Sequence, residues 1–243
     1  MRDYNKALSE RVAWIQQILA DSGAKGVIFG NSGGKDSALA GILCRKATAN
    51  VLGVAMPCGS KQNYESDTDH AQLLAEQFDI KMAAVDLTGV RDSLLSQLNH
   101  AAAITQQAQI NINPRLRMTA LYALGQSLGY LVAGTGNKSE NYMGYFTKWG
   151  DGACDFNPIA DLYAHEVTAF LKHLDAPKAI VEKAPSAGLF DGQTDEADMG
   201  VTYHDIHTFI ETGTAPPGAA DIIRRAHAAT AHKRRPPKLY GSP

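Results

Sequence analysis

Cysteine is scarce in this chain. Cys44, Cys58 and Cys154 are the three in 243 residues, and no C-x-x-C pair occurs. That pattern excludes a disulfide framework and a zinc ribbon and fits a reducing compartment. An excess of one charge is also missing: Lys and Arg total 23 against 25 Asp and Glu, a formal net charge of −2. Binding to bulk nucleic acid or to an anionic membrane surface usually rests on a strong basic excess. No apolar leader is present, because Arg2, Asp3, Lys6, Glu10 and Arg11 already carry charge. A membrane-spanning run is lacking too. The long uncharged stretch 118–137 is interrupted by Gly125, Gln126, Ser127, Gly129, Gly134 and Gly136. It reads as a buried helix, a turn at Gly129 and a short core strand. These absences predict a soluble, cytoplasmic protein and argue against binding to bulk nucleic acid or to a membrane surface.

What is present is an alternation of short apolar runs and amphipathic segments, with 44% hydrophobic residues overall. Leu8, Val12, Ile15 and Leu19 fall at helical spacing within residues 4–21. Strands are expected at 26–30, 51–56, 81–85 and 130–133, and helices at 36–46, 66–78 and 90–100. Asn113-Pro114 is read as a boundary before a helix at 115–128. Alternating strands and helices imply right-handed crossovers and a parallel sheet covered on both faces. The expected fold is a doubly wound α/β domain with a mostly parallel sheet and a helical C-terminal part. One domain is expected over 1–243: an N-terminal helix at 4–21, an α/β core at 25–175 and a helical part at 176–235. Helices are expected there at about 161–174, 177–183, 202–211 and 217–232. Polar loops are expected at 59–63 and 150–158, and residues 185–199 read as a mobile loop near a site.

The most informative residues are Gly30, Asn31, Ser32, Gly33, Gly34, Lys35, Asp36 and Ser37, which follow the first strand and open a helix. Paired glycines let successive N–H groups converge on an anion, and the helix start adds partial positive charge. The Ser32 and Ser37 hydroxyls can donate to phosphate oxygens. Asp36 among phosphates would be repelled unless it holds a metal, which implies Mg²⁺. A Walker A loop is excluded because Asp36, not Ser or Thr, follows Lys35. The G-x-G-x-x-G spacing is absent as well.

The octet resembles the pyrophosphate-binding loop of the ATP pyrophosphatase superfamily, whose members cleave ATP between the α and β phosphates. The resemblance narrows with Arg115-Leu116-Arg117-Met118, Gly134-Thr135-Gly136-Asn137-Lys138-Ser139-Glu140, residues 146–152, residues 155–162 and His232-Lys233-Arg234. In that order these look like the ammonia-dependent NAD synthetases, over nearly the whole chain. The resemblance implies an adenine nucleotide alpha hydrolase-like, Rossmann-like fold and a homodimer. It implies that a deamido-NAD carboxylate attacks ATP, that an acyl adenylate and pyrophosphate form, and that ammonia then displaces AMP.

By motif position, Asp36 and Glu140 would be metal ligands, and Asp36 and Lys148 the catalytic residues. Thr135, Ser186 and the octet would bind ATP. Arg115, Lys148, Asp155, His232 and Lys233 would bind deamido-NAD. Arg117 is the near alternative to Arg115, residues 232–235 could instead be a solvated basic tail, and Cys154 reads as a bystander. The chain departs from the family at Ala164, where a lysine contacting ATP phosphate is usual; Lys35 or His165 is expected to supply that charge. No glutaminase module is expected, so free ammonia, or ammonia from a separate supplying protein, would be the nitrogen source. Two rivals stay open: an adenylating enzyme of the same superfamily that modifies tRNA, and a non-catalytic nucleotide-binding dimer.

Overall fold

The computed structural model describes residues 2–59, 66–183 and 194–241. Helix α1 (Tyr4–Ser22) starts where the Asp3 carboxylate accepts the Asn5 and Lys6 amides at 3.0 and 3.1 Å, and it ends at Gly23 with φ 68°. There follow β1 (Gly26–Gly30), α2 (Lys35–Ala47), β2 (Val51–Ala55), α3 (Ser66–Phe78), β3 (Lys81–Ala84), α4 (Thr88–Ala101), α5 (Gln106–Leu128) and β4 (Tyr130–Val132). Beyond the sheet come α6 (Lys138–Met143), α7 (Ala164–His173), α8 (Lys178–Val181), α9 (Asp195–Met199), α10 (Tyr203–Thr212), α11 (Pro217–Ala229) and a 3₁₀ turn at Ala231–Lys233.

The four strands pair in parallel in the order β3-β2-β1-β4, with Val27 opposite Val51, Gly26 opposite Tyr130 and Leu52 opposite Lys81. The chain runs outward from β1 to β3 and then returns to β1's other side as β4. That reversal opens a crevice at the carboxyl ends of β1 and β4, where open parallel sheets hold ligands. The two-residue period of β1 divides its side chains between both faces. Val27 and Phe29 enter one core with Ile15, Leu39, Leu43, Ile159 and Phe170, while Ile28 joins Val54 and Val132 beneath α5. Gly41, inside α2, lies against the Phe29 ring: a Cβ there would sit 2.4 Å from Phe29 Cζ. A third cluster, Met143, Ile206, Phe209 and Ile223, joins α6, α10 and α11.

Several expectations need correction. No boundary falls at Asn113-Pro114, because α5 runs unbroken through Pro114. Proline removes one N–H from the ladder, but neighbours fix this turn from outside. Asn113 accepts from Arg91 Nε at 2.9 Å and donates to the Cys58 carbonyl at 3.3 Å, and Thr147 Oγ1 donates to Asn111 Oδ1 at 2.7 Å. Of the segments read as loops, residues 60–63 and 185–193 lie outside the described residues; in the remainder of 185–199, Asp195–Met199 is helical and capped by Gly200. The C-terminal helix stops at Ala229, so His232 and Lys233 lie in the 3₁₀ turn. In the expected 150–158 loop, Phe156 forms a parallel bridge to Ala133 and extends the sheet edge beyond β4. No helix among the described residues is long and apolar enough to cross a membrane.

Candidate active site

The crevice is a cavity of about 560 Å³ lined by Gly30, Asn31, Ser32, Gly34, Lys35, Asp36, Ser37, Thr135, Glu140 and Lys233, among others; of the loop, only Gly33 lies behind its surface. Gly33 has φ 67°, and a Cβ there would lie 2.3 Å from the Asp67 carbonyl oxygen, so both conformation and space demand glycine. The Gly34 amide donates to Ser32 Oγ at 3.3 Å, the Ser32 and Ser37 hydroxyls are 3.0 Å apart, and Ser37 Oγ donates to the Gly34 carbonyl at 3.0 Å. Gly34 starts α2 with no side-chain cap. The first-turn amides of a thirteen-residue helix therefore face the cavity without a side-chain acceptor, which is the arrangement that binds phosphate. Asn31 lines the same space, but its Nδ2 is committed to the Ala71 carbonyl at 3.0 Å.

Across the crevice, the turn after β4 supplies the second half. Asn137, only 1% exposed, caps α6: its Oδ1 accepts the Glu140 amide at 3.0 Å, and Glu140 Oε2 accepts the Asn137 amide at 2.9 Å. Asn137 Nδ2 reaches over and donates to Asp36 Oδ1 at 3.2 Å, 101 residues away in sequence. One asparagine thus positions both carboxylates. Burial pushes the Asp36 carboxyl up to about 6; the Asn137 bond opposes this and the Asp195 charge adds to it. Burial and then the Asp36 charge push Glu140 well above the usual carboxylate range. Two partly buried carboxylates whose protons are held by burial, with the Asp36 charge adding to the effect on Glu140, fit a divalent cation between them. Among the described residues no group of three or more His, Cys, Asp or Glu forms a ready metal cage. A cation held here would complete its shell with phosphate oxygens and water, as Mg²⁺ does.

A basic rim flanks the cavity. Arg115 Nε donates to the Lys148 carbonyl at 3.4 Å, Lys148 Nζ donates to the His232 carbonyl at 2.8 Å, and Lys233 Nζ donates to the Gly144 and Phe146 carbonyls at 2.8 and 2.6 Å. Residues from α5, the 146–152 turn and the C-terminal 3₁₀ turn are thereby joined in one chain of contacts. Lys233 lines the cavity, whereas Arg115, Lys148 and His232 lie outside its lining. Asp155 is placed differently. Its carboxylate accepts the Val132 amide at 2.7 Å and the Tyr122 hydroxyl at 3.2 Å, which ties the chain to the end of β4. Ser186 lies outside the described residues.

Arg117, the alternative weighed for Arg115, lines the cavity with its Nε on the Met56 carbonyl at 3.0 Å. Other groups had no place in the sequence reading. Trp149 is 55% exposed at φ 61°, with Lys148 Nζ 5.3 Å from its ring centroid. Asp195, 4% exposed, receives the Tyr203 hydroxyl at 2.8 Å and acts electrostatically on both carboxylates. Lys183 and Asp67 line the cavity as well. Arg117 lay two residues from a residue singled out, but no spacing signal distinguishes the buried arginine of a helix from its exposed neighbour. Beside the cleft, a side pocket of about 220 Å³ is lined by Lys35, Asp36, Ala164, His165 and Thr168.

The comparisons agree with this geometry. The NAD synthase family model matches residues 7–237. An NH(3)-dependent NAD(+) synthetase of Carboxydothermus hydrogenoformans is 40% identical over 240 residues, covering 98% of each chain. Among solved structures, an NMN synthetase from Francisella tularensis superposes with TM-score 0.94 and 34% identity over 100% of both chains. The NH3-dependent NAD synthetase of Campylobacter jejuni superposes at 0.80 with 28% identity, covering 98% and 99%. With nearly its full length matched and a phosphate loop facing two carboxylates at the sheet's switch point, the chain belongs to the NAD synthase family of ligases.

Proposed function

We propose that the protein converts the nicotinate carboxylate of deamido-NAD to the amide of NAD, using ATP and ammonia. The observation that carries this reading is the meeting of the uncapped α2 amides with Asp36 and Glu140 across the β1/β4 crevice. Asp36 and Glu140 would hold Mg²⁺, which when bound neutralises charge on phosphate oxygens. The first-turn amides of α2, residues 35–37, and the Ser32 and Ser37 hydroxyls would receive the pyrophosphate. A carboxylate oxygen of the substrate attacks the α-phosphorus, and the bond to the bridging oxygen of the β-phosphate breaks. The ammonia lone pair then attacks the acyl carbon, the C–O bond to AMP breaks, and nitrogen sheds a proton. Catalysis of this kind rests mostly on positioning and charge neutralisation. Thr135 would meet ATP beside the carboxylates. Lys148, Arg115, His232 and Lys233 would hold the anionic groups of the pyridine nucleotide along the rim. The placement of Asp155 favours a supporting role at β4 over direct contact.

The test is product analysis by mass: ATP, deamido-NAD, ammonium and Mg²⁺ should yield AMP, pyrophosphate and NAD. ADP with orthophosphate would overturn the reading. A second reading concerns the size of the acceptor. The match to the NMN synthetase, over all of both chains and at a higher TM-score than that to the Campylobacter jejuni enzyme, favours nicotinate mononucleotide. The chemistry at the carboxylate is the same. Values of kcat/KM for the two acceptors decide, and a tenfold advantage for the mononucleotide would assign the second reading.

The proposal extends to assembly and setting. Helix α4 has fourteen residues and none buried, and it presents Val90 and Leu94 at 53% and 37% exposure. A second copy of the chain would cover that face. The cysteines are unpaired, which suits a reducing cytoplasm.

A further inference from the structure

Two charged side chains of the cleft stand outside every motif discussed so far. Lys183, just beyond α8, places its Nζ 2.5 Å from Asp67 Oδ1 in the first turn of α3. The side chains are only 18% and 11% exposed, and both residues line the crevice. The pair also abuts the phosphate loop. The Asp67 carbonyl is the atom that a Cβ on Gly33 would strike, at 2.3 Å, with His70 Cβ next at 3.0 Å. The start of α3 therefore packs directly behind the loop, and the Lys183 ammonium stands beside it.

A buried ion pair is a poor source of stability, because the desolvation of both charges offsets their attraction. It does hold a cation, partly stripped of water, at a defined place. His70, one turn along α3, is kept toward its neutral form by burial and by the Lys183 charge, so the ammonium supplies the positive charge on this side. A pyrophosphate in the cradle would bring far more negative charge to Lys183 than Asp67 alone offers.

We propose that Lys183 is a ligand for the departing pyrophosphate and that Asp67 is the positioning residue that keeps its ammonium beside the loop. The assignment rests on the reading of residues 30–37 as a pyrophosphate cradle. It adds a cation delivered from α8 and α3, elements that carry no phosphate motif of their own. No bond changes at Lys183; it lowers the energy of the leaving group as negative charge develops.

The experiment measures pyrophosphate binding to the whole protein by calorimetry with Mg²⁺ present, alongside steady-state kinetics. Lys183→Met should weaken pyrophosphate binding and raise the ATP KM, each about tenfold or more, with the pyridine-nucleotide KM unchanged. Lys183→Arg should retain most of the affinity. Lys183→Met takes the ammonium away from the buried Asp67 carboxylate and could fail to fold. The double variant Lys183→Met/Asp67→Leu removes both charges, a change that buried pairs commonly tolerate, and should fold yet still bind pyrophosphate poorly. Unchanged pyrophosphate affinity in either variant, with only thermal stability altered, would reduce the pair to a structural contact and overturn the assignment. Failure of the wild-type protein to bind pyrophosphate would instead overturn the cradle reading.

Discussion

Asp36 and Glu140 share a poorly solvated volume, and their joint ionisation opposes folding. Asp36 titrates at about 6 in the folded protein against an ordinary 3.8. Between those values the folded state binds more protons than the unfolded chain, so the nucleotide-free protein loses stability as pH rises through that window. Asp36→Asn removes the buried charge while keeping the shape. It should raise the Tm of the nucleotide-free protein at neutral pH by a few degrees, from about 1–3 kcal/mol, and change little near pH 4. The same variant should lower kcat by about 10² or more, the scale for loss of a charge-stabilising group. Calorimetry at the two pH values and steady-state rates check both parts, and a lower Tm at neutral pH would refute the cost of burying this charge. The departure at Ala164 yields a second test. Lys35 and Ala164 line one side pocket, and burial lowers the Lys35 ammonium from its usual range. Lys35→Ala should raise the ATP KM about tenfold, roughly 1.4 kcal/mol, and Ala164→Lys in that background should recover most of it. His165 is engaged with Tyr163 and His207, at ring-centroid distances of 5.8 and 4.6 Å. His165→Ala should therefore leave the ATP KM unchanged.

Elements were legible where pattern and packing agree. The glycine-bounded run 26–30 announces a buried strand, and its alternation sends Val27 and Phe29 to one face and Ile28 to the other. Gly129 stops α5 in the left-handed conformation at φ 69°, as its place after a helical pattern indicates. Pro114 misled because its cost is local while the contacts that outweigh it come from Arg91, Cys58 and Thr147, distant in sequence. Gly41 is the converse. Helix propensity alone favours Ala there by about 1 kcal/mol, yet Phe29 fills the space. Gly41→Ala should destabilise the protein by about 1–3 kcal/mol through overpacking, read as a lower urea midpoint with unchanged slope. A gain in stability would show that β1 and α2 can separate at little cost.

At the scale of the molecule, the proposed second copy on the exposed face of α4 can be tested directly. An aspartate at position 94 would place a charge where a second copy would bury Leu94. Leu94→Asp should convert a dimer to a monomer in light scattering without lowering the monomer's helical content. A wild-type protein that is monomeric at micromolar concentration would remove α4 as an interface.

The linear order of residues determined the glycine-rich loop after β1, the alternation of strands and helices, and the family, because each is written in contiguous spacing. What only tertiary structure decided is which distant groups meet. Asn137 bridges to Asp36, Lys183 reaches Asp67, Asp155 turns to the end of β4, and Arg117 rather than Arg115 faces the cleft. Those outcomes depend on the return of β4 to the free side of β1 and on helix faces buried by that return. Burial and long-range Coulomb forces are properties of the packed chain and leave no mark in the spacing of its residues.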